Sequence, residues 1–291
     1  MTSGGDAPGM NAFIRATTRY ALDKGIGVFG IYEGYQGIID NQIQGLPRED
    51  IVNIIQRGGT ILKTSRSEEF MTEAGRKKAA ANLEALEIDG LICCGGDGSY
   101  AGLVAFQKQW SGQMIGLPGT IDNDIKGTDF TIGFDTAVNT AVEAIDRLRD
   151  TGDAHSMHFI VEVMGRHCGN IATAVGKASG AEYVLIPETV SDIDEVNQAI
   201  QVKGHNIVVV AEGDELGGAY KIAQLLEKKS GDKSFRVCIL GHTQRGGRPT
   251  ARDRILASEM GIRAVDALLE GESLKAVAQV NQKYKLTELN G

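Results

Sequence analysis

Cysteine, proline and aromatic residues are scarce in this chain of 291 residues, which has four cysteines, five prolines and only 5% aromatic residues. The cysteines are Cys93, Cys94, Cys168 and Cys238, and no two of them have the C-x-x-C spacing of zinc ribbons and redox motifs. This pattern is typical of reduced, buried thiols. No apolar run approaches the ~20 residues of a membrane-spanning helix, and no signal peptide is visible. We therefore expect a cytoplasmic location and no membrane partner.

Positive charge is also in short supply, because 30 Lys and Arg residues face 38 Asp and Glu residues and give a formal net charge of −8. A sequence-independent nucleic-acid binder needs clustered positive charge, so no nucleic-acid partner is expected. Anionic small molecules stay compatible with this composition, since a few well-placed arginines can bind them inside an acidic protein. Glycine is abundant at 38 residues, which indicates many tight turns and close backbone approaches.

Two familiar patterns fail on their context. The run "GIGVFG" has the spacing of a dinucleotide-binding loop, but it follows a predicted helix and leads into a predicted strand, the reverse of what that loop needs. His155, His158, His167 and Cys168 are metal-ligating residue types. Because His155 and His158 would point to opposite faces at the start of a strand, and the other two add no workable spacing, we expect no metal site there.

Helical and strand-like periodicities alternate along the chain. Strands are predicted at residues 27–32, 89–96, 113–119, 158–165, 182–187, 206–213 and 235–241. Helices are predicted at residues 12–25, 48–59, 72–88, 100–110, 136–152, 170–180, 192–204, 219–231 and 251–271. This alternation predicts an α/β fold of two lobes, each a mostly parallel sheet flanked by helices. Ligands of such folds bind at the carboxyl ends of the strands, where the polar clusters of this chain lie.

The segment "CCGGDGSYAG" joins a buried strand to a helix through two glycines and Asp97. Glycines let backbone amides approach a ligand closely, and the start of a helix favours an anion. A carboxylate among such amides suits Mg²⁺ bridging to phosphate oxygens. The alternative is that Asp97 only caps the turn.

The segment "LPGTIDNDIKGTD" places two carboxylates, Asp122 and Asp124, on either side of Asn123 just after a strand. Alternation along the chain points both carboxylates to the same side. One of them can take a proton from a substrate hydroxyl while the other orients that hydroxyl. An ordinary Asp-rich turn is the alternative.

Three further loops offer positive charge. Arg166 lies on the turn of "VEVMGRHCGN", and Arg236, His242 and Arg245 bracket a strand end in "FRVCILGHTQRGGRPT". Arg66 follows a double glycine in "RGGTILKTSRSEEF" and can reach an anion or pair with a neighbouring glutamate. Such groups bind phosphate and stabilise a transferring phosphoryl group. Taken singly, each of them could equally be an ordinary solvent-exposed side chain with no ligand.

Taken in order, "TSGGDAPGMNAFIR", "RGGT", "GGDGS", "PGTIDNDI", "GFDTA", "VEVMGR", "AEG" and "LGHTQRGG" resemble the bacterial ATP-dependent 6-phosphofructokinase family and span nearly the whole chain. The resemblance implies a homotetramer of two-lobed α/β subunits in the cytoplasm. It also implies transfer of the ATP γ-phosphoryl group to the 1-hydroxyl of fructose 6-phosphate, a step of glycolysis. The ATP-binding lobe would comprise residues 1–133 and 246–291, and the sugar-phosphate lobe residues 134–245.

The resemblance also implies roles for individual residues. Asp122 would be the base, Asp97 would hold Mg²⁺, and Thr120, Arg66 and Arg166 would stabilise the transferring group. The expected ATP contacts are Gly5, Arg66, Ser67, Gly96, Asp97, Gly98 and Ser99. The expected sugar-phosphate contacts are Thr120, Ile121, Asp122, Met164, Gly165, Arg166, Glu212, His242 and Arg245, together with Arg236 reaching into a neighbouring subunit.

Donor choice and regulation follow from the same resemblance. Family members that use pyrophosphate carry bulkier residues at the positions of Gly98 and Gly119, so we expect ATP to be the donor. An effector site for a nucleoside diphosphate or phosphoenolpyruvate is expected at Arg15, Arg19, Arg48, Arg149, Glu182 and Lys203.

The chain departs from the family pattern in three respects. Gln201 and Gly204 stand where lysines are expected near Lys203, so the effector site is expected in a weaker form. Met157 stands where the family has an arginine that reaches the sugar 6-phosphate, so weaker sugar-phosphate binding is expected. Both ends look short, and we expect the strand that supports the first glycine loop to be missing. These departures leave open an alternative function, that of a truncated, weak or inactive paralogue that acts only by associating with intact subunits.

Overall fold

The structure is a computed structural model and describes residues 1–155, 157–201, 205–231 and 233–289. The chain forms two compact units. Unit 1 comprises Met1–Thr120, Ile125–Gly133 and Gly246–Gly291, and unit 2 comprises Ile121–Asp124 and Phe134–Arg245. The boundaries expected from the sequence differ at residues 121–124, which they keep in the first lobe. The assignment of one lobe to ATP and the other to the sugar phosphate stays a prediction.

Helices and strands alternate along most of the chain. The helices are α1 (Met10–Asp23), α2 (Gly34–Ile39), α3 (Glu68–Met71), α4 (Glu73–Ala85), α5 (Asp97–Phe106), α6 (Phe134–His155), α7 (Asn170–Ser179), α8 (Ile193–Ala199), α9 (Gly218–Ser230) and α10 (Ala251–Leu269). Short 3₁₀ helices span Arg48–Ile51 and Gly241–Arg245. The strands are β1 (Phe29–Ile31), β2 (Ile43–Gly45), β3 (Gly90–Gly95), β4 (Gln113–Thr120), β5 (Ile132–Gly133), β6 (His158–Val163), β7 (Tyr183–Leu185), β8 (Ile207–Ala211), β9 (Phe235–Ile239), β10 (Lys275–Val280) and β11 (Lys283–Glu288).

Unit 1 is built on a sheet with the strand order β11-β10-β4-β3, in which β5 also pairs with β4. The strands β3, β4, β5 and β10 are parallel, whereas β10 and β11 form an antiparallel hairpin. The core of this unit contains a row of aromatic rings from Tyr35, Phe70, Phe106 and Trp110, with successive ring centroids 4.1, 5.3 and 5.6 Å apart. These four aromatic side chains therefore pack together and stabilise the core of unit 1.

The first three residues extend the sheet beyond β3. The Met1 amine donates to Ile92 O at 2.8 Å, and Cys94 N donates to Met1 O at 3.1 Å. Thr2 pairs in parallel with Cys94, and Ser3 N donates to Cys94 O at 3.0 Å. Residues 1–9 therefore form an isolated bridge to β3 and not a strand, as expected, but the expectation that the first glycine loop is left without support is wrong, because backbone hydrogen bonds between residues 1–3 and β3 hold it in place.

Unit 2 is built on a parallel sheet with the strand order β7-β8-β6-β9, flanked by α6, α7, α8 and α9. Every residue of the central strand β8 is buried, as its continuous apolar sequence predicts for a parallel strand covered on both faces. Both units are thus α/β with parallel strands, and the predicted fold class is confirmed.

The prediction omits α2, α3, β2 and β5, and it fails at two further places. The helix predicted at 48–59 is reduced to the 3₁₀ helix Arg48–Ile51, because Asn53 has φ 56° and Val52 is 58% exposed instead of facing a core. The hairpin of β10 and β11 is absent from the prediction. Its turn at Asn281 and Gln282 has φ 51° and 64°, the left-handed pair of a two-residue hairpin turn, but "NQ" is a weaker turn signal than Asn-Gly.

Candidate active site

In unit 1, the glycine turn between β3 and α5 is fastened to the first loop of the chain. Ser99 is 4% exposed, and its hydroxyl donates to Ser3 Oγ at 2.9 Å. Tyr35 donates from its hydroxyl to Ser99 O at 2.6 Å. A Cβ on Gly95 would lie 2.4 Å from Ser99 Oγ, so only glycine fits at that position. The Ser99 hydroxyl therefore joins the two glycine loops, and its contact with ATP stays a prediction.

The same turn leaves polar backbone accessible at the start of α5. Asp97 and Gly98 are exposed, as is Gly5 on the first loop, and Gly96 is half-buried. Asp97 Oδ1 accepts a hydrogen bond from Gly98 N at 2.7 Å. Accessible amides at a helix start favour an anion. A single exposed carboxylate beside them suits a divalent cation that keeps most of its waters and also contacts phosphate oxygens.

The predicted pair Arg66 and Ser67 precedes α3. Arg66 is exposed and accessible to a ligand. The Ser67 hydroxyl accepts from Phe70 N at 3.1 Å as the cap of α3, and it donates to Gln36 Oε1 at 2.7 Å. The hydroxyl of Ser67 thus serves to fix the end of the loop that carries Arg66.

In unit 2, Asp122 is a buried carboxylate beside positive charge. Its side chain is 5% exposed, and burial raises its pKa above the ordinary value of 3.8. The negative charges of Asp124 and Glu212 raise this pKa further, whereas the guanidinium groups of Arg166 and Arg245 lower it. A carboxylate whose pKa is raised in this way is a better proton acceptor than an ordinary surface aspartate.

The backbone next to Asp122 is held by an amide that the sequence did not single out. Asn123 has φ 52°, in the left-handed region. Asn170, the first residue of α7, donates from Nδ2 to Asn123 O at 2.8 Å. Ile121, on the other side of Asp122, is buried. The chain is therefore fixed on both sides of the carboxylate.

Arg166 lies on a turn that follows β6. Arg166 has φ 54° and Gly165 φ 147°, so both depart from ordinary strand backbone. Glu212, at the end of β8, accepts at Oε1 from Arg166 N at 2.7 Å and from Gly165 N at 3.3 Å. At the start of the turn, Met164 N donates to Gln244 Oε1 at 2.9 Å. The carboxylate of Glu212 and the carboxamide of Gln244 thus fix the backbone of the turn that carries the exposed Arg166 side chain.

The remaining predicted sugar-phosphate residues follow β9. His242 is exposed and Arg245 is half-buried in the 3₁₀ helix Gly241–Arg245. Arg236 is exposed on β9, the edge strand of its sheet. Unit 2 therefore brings together Asp122, Arg166, Glu212 and Arg245, while Arg236 and His242 present their side chains to solvent.

The predicted effector residues are divided between the units. In unit 1, Arg48 pairs with Asp23, Arg19 is exposed and Arg15 is half-buried. In unit 2, Arg149 Nη1 lies 3.8 Å from Glu182 Oε1. Lys203 lies outside the described residues. The effector site stays a prediction.

Sequence reasoning missed Ser3, Asn170 and Gln244, whose side chains connect loops. Each stands inside or beside a segment that was singled out, and that position is the only signal they give.

Within the described residues, no three His, Cys, Asp or Glu side chains lie close enough together to hold a metal ion. None of the helices in that part of the chain is long and apolar enough to span a bilayer.

Comparison with known proteins identifies relatives over the whole chain. Residues 1–268 match the family described as phosphofructokinase. The chain is 52% identical to the ATP-dependent 6-phosphofructokinase 1 of Thermus thermophilus over 293 aligned residues, which cover 99% of this chain and 91% of that protein. The phosphofructokinase of Saccharomyces cerevisiae superposes with a TM-score of 0.94 and 37% identity, covering 99% of this chain and 44% of the yeast chain. The pyrophosphate-dependent phosphofructokinase of Marinobacter aquaeolei, at 24% identity and a TM-score of 0.85 over 99% of this chain and 81% of that one, shares the fold.

Proposed function

The chain belongs to the phosphofructokinase family, and from this membership we propose that it transfers the γ-phosphoryl group of ATP to the 1-hydroxyl of fructose 6-phosphate. The products would be fructose 1,6-bisphosphate and ADP, and we further propose that the chain serves glycolysis and acts in the cytoplasm. The observation that carries the proposal is 52% identity, over 99% of this chain, to an ATP-dependent 6-phosphofructokinase. These comparisons give no support to the alternative of an inactive paralogue.

We propose Asp122 as the general base. In the transfer, the 1-hydroxyl oxygen bonds to the γ-phosphorus, the bond from that phosphorus to the β–γ bridging oxygen breaks, and the hydroxyl proton passes to the Asp122 carboxylate. The burial of Asp122 supports this role, because a raised pKa makes the carboxylate a stronger proton acceptor. Thr120, two residues earlier at the end of β4, together with Arg66 and Arg166 would stabilise the charge on the transferring group.

ATP binding is assigned to the glycine loops of unit 1. ATP would contact Gly5, the turn from Gly96 to Ser99, and the residues Arg66 and Ser67. The exposed carboxylate of Asp97 fits Mg²⁺, which when bound would neutralise phosphate charge. The sugar phosphate would contact residues of unit 2, namely Ile121, Asp122, Met164, Gly165, Arg166, Glu212, His242 and Arg245, of which Arg166, Glu212 and Arg245 act on the charge of Asp122.

The acid limb of the pH profile tests the base. Asp122 must be deprotonated to accept a proton, so kcat/KM is expected to fall as pH drops through its raised pKa. Asp124→Asn removes a negative neighbour that raises this pKa, and the limb is therefore expected to move to lower pH. Asp146→Asn, on the exposed surface of α6, is the control and should leave the limb in place. If the acid limb of kcat/KM in Asp124→Asn lies at the same pH as in the parent, the assignment of Asp122 as the general base is contradicted.

The donor can be probed at Gly98. A Cβ at this position meets no atom within 4 Å, so Gly98→Asp is expected to leave the fold intact. The added carboxylate would repel the ATP phosphates, and KM for ATP is expected to rise about tenfold, equivalent to about 1.4 kcal/mol. Gly45→Ala, at another open position on β2, is the control. Unchanged KM for ATP in Gly98→Asp would remove this turn from the ATP site.

A coupled assay tests the proposed function as a whole. The purified chain is incubated with fructose 6-phosphate, Mg²⁺ and ATP, and formation of ADP and fructose 1,6-bisphosphate is followed; pyrophosphate replaces ATP in a parallel series. Sugar-dependent turnover with ATP is expected. Turnover with pyrophosphate alone would overturn the choice of donor, and no turnover with either would favour the inactive paralogue.

We propose a homotetramer in which Arg236 reaches into a neighbouring subunit, and an effector site for a nucleoside diphosphate or phosphoenolpyruvate. The exposed position of Arg236 on an edge strand supports the first. Light scattering tests the assembly, since a fully active monomer would exclude a shared site. Calorimetric titration with a nucleoside diphosphate tests the effector site.

A further inference from the structure

Gln244 is a fully buried polar residue in an otherwise accessible loop. It lies in the 3₁₀ helix Gly241–Arg245, where its neighbours His242 and Thr243 are exposed, and its own side chain is 0% exposed. A buried carboxamide is tolerated when both of its ends are hydrogen-bonded. Gln244 meets this condition, since Oε1 accepts from Met164 N at 2.9 Å and Nε2 donates to Ala137 O at 3.4 Å.

These two bonds connect three segments of unit 2. Met164 is the first residue after β6 and begins the turn that carries Arg166. Ala137 lies in the first turn of α6, and Gln244 itself precedes Arg245 in the chain. One buried side chain therefore ties the Arg166 turn to the loop of Arg245 and to a helix that anchors both.

Both connected arginines act on the same carboxylate. The positive charges of Arg166 and Arg245 each lower the pKa of Asp122, in opposition to its burial and its negative neighbours. The distance from Asp122 to either arginine depends on how the two loops are held. Gln244 cannot contact a substrate from its buried position, so its influence on this group of charges acts through the backbone.

Resting on the function proposed above, we propose that Gln244 is a positioning residue for phosphoryl transfer, holding the Arg166 turn against the Arg245 loop. The role requires one donor and one acceptor on an uncharged side chain. Methionine has a similar shape but cannot replace either bond, and an ionised glutamate offers acceptors only. A protonated glutamate offers both a donor and an acceptor and can restore the contact.

Gln244→Met and Gln244→Glu test the proposal, with Gln113→Met as the matched control. Like Gln244, Gln113 is joined to distant backbone through its carboxamide, which donates to Leu268 O at 3.1 Å and to Glu272 O at 3.4 Å, but it lies in unit 1. Gln244→Met is expected to lower kcat/KM for fructose 6-phosphate about tenfold to a hundredfold, since small misplacements of catalytic groups cost this much. KM for ATP should stay within about twofold of the parent value, and Gln113→Met should keep the parent kcat/KM.

Two readouts separate positioning from a general loss of stability. In Gln244→Met, the acid limb of kcat/KM should move to higher pH, because the two arginines that lower the pKa of Asp122 are less well held. In Gln244→Glu, the ratio of kcat/KM to the parent value should rise as pH falls and the glutamate becomes protonated. This second readout serves also if the methionine variant does not fold.

The parent enzyme is assayed first, so that the two proposals are distinguished. A parent without fructose 6-phosphate kinase activity would overturn the proposed function and this inference with it. With an active parent, any of three results would overturn this inference and leave the proposed function standing. The first is a Gln244→Met variant that keeps the parent kcat/KM, and the second is a Gln244→Met variant whose acid limb of kcat/KM stays at the parent pH. The third is a ratio of Gln244→Glu to parent kcat/KM that does not change with pH.

Discussion

Replacing Asp122 by asparagine is expected to lower kcat about 10²- to 10⁴-fold, the usual contribution of a general base. Asparagine has nearly the same shape as aspartate, so the buried site at 5% exposure is filled as before, but the amide cannot accept the proton of the 1-hydroxyl. The proposed ATP contacts lie in unit 1, and ATP affinity measured by calorimetry should therefore stay close to the parent value.

Although Asp122→Asn is expected to lower activity, it is expected to raise the stability of the folded chain. The pKa of Asp122 is raised in the folded chain, so the folded state favours the protonated, neutral side chain. Stability from this group is fully present below the pKa of an unfolded aspartate and is lost as pH rises through the raised folded pKa. Asp122→Asn, which is neutral at every pH, is therefore expected to unfold at a higher denaturant concentration than the parent at pH 7. Asp146→Asn is the control for both kcat and unfolding. If the kcat of Asp122→Asn lies within tenfold of the parent value, Asp122 is not the base.

The sequence was informative where the chemistry depends on consecutive residues. Asp97 and Gly98 could be placed at the start of a helix because the apolar run before them ends in two glycines. The fold class followed from the same alternation of apolar runs and helical patterns. These signals are local, since each depends on the residue type and its immediate neighbours.

The parts that could not be predicted depend on partners distant in the chain. Gln244 acts on Met164, 80 residues away, and the Ser99 hydroxyl acts on Ser3, 96 residues away. The left-handed backbone of Arg166 is likewise a tertiary effect, because nothing in the local sequence favours a positive φ at an arginine. Sequence motifs therefore suggested the proposed catalytic side chains, whereas the groups that hold the backbone beside them became visible only in the folded chain.

Gly213→Ala is expected to lower kcat about a hundredfold by moving the Arg166 turn. Gly213 follows Glu212, and a Cβ added to it would lie 2.0 Å from Arg166 O and 3.1 Å from Arg166 C. Both atoms belong to the backbone, so no side chain can turn aside and the turn itself must shift. A displacement of about 1 Å at a catalytic group is sufficient for a hundredfold loss of rate.

Overpacking at this position is also expected to lower the free energy of unfolding, by about 1–3 kcal/mol. To distinguish a displaced Arg166 turn from a general loss of stability, kcat is measured at saturating ATP and fructose 6-phosphate. KM for ATP is measured as well and should stay near the parent value, because the proposed ATP contacts lie in unit 1. Gly45→Ala is the matched control, since a Cβ there meets nothing within 4 Å and should change neither activity nor stability. A Gly213→Ala variant that unfolds more easily but retains the parent kcat would show that the position of the Arg166 turn does not govern phosphoryl transfer.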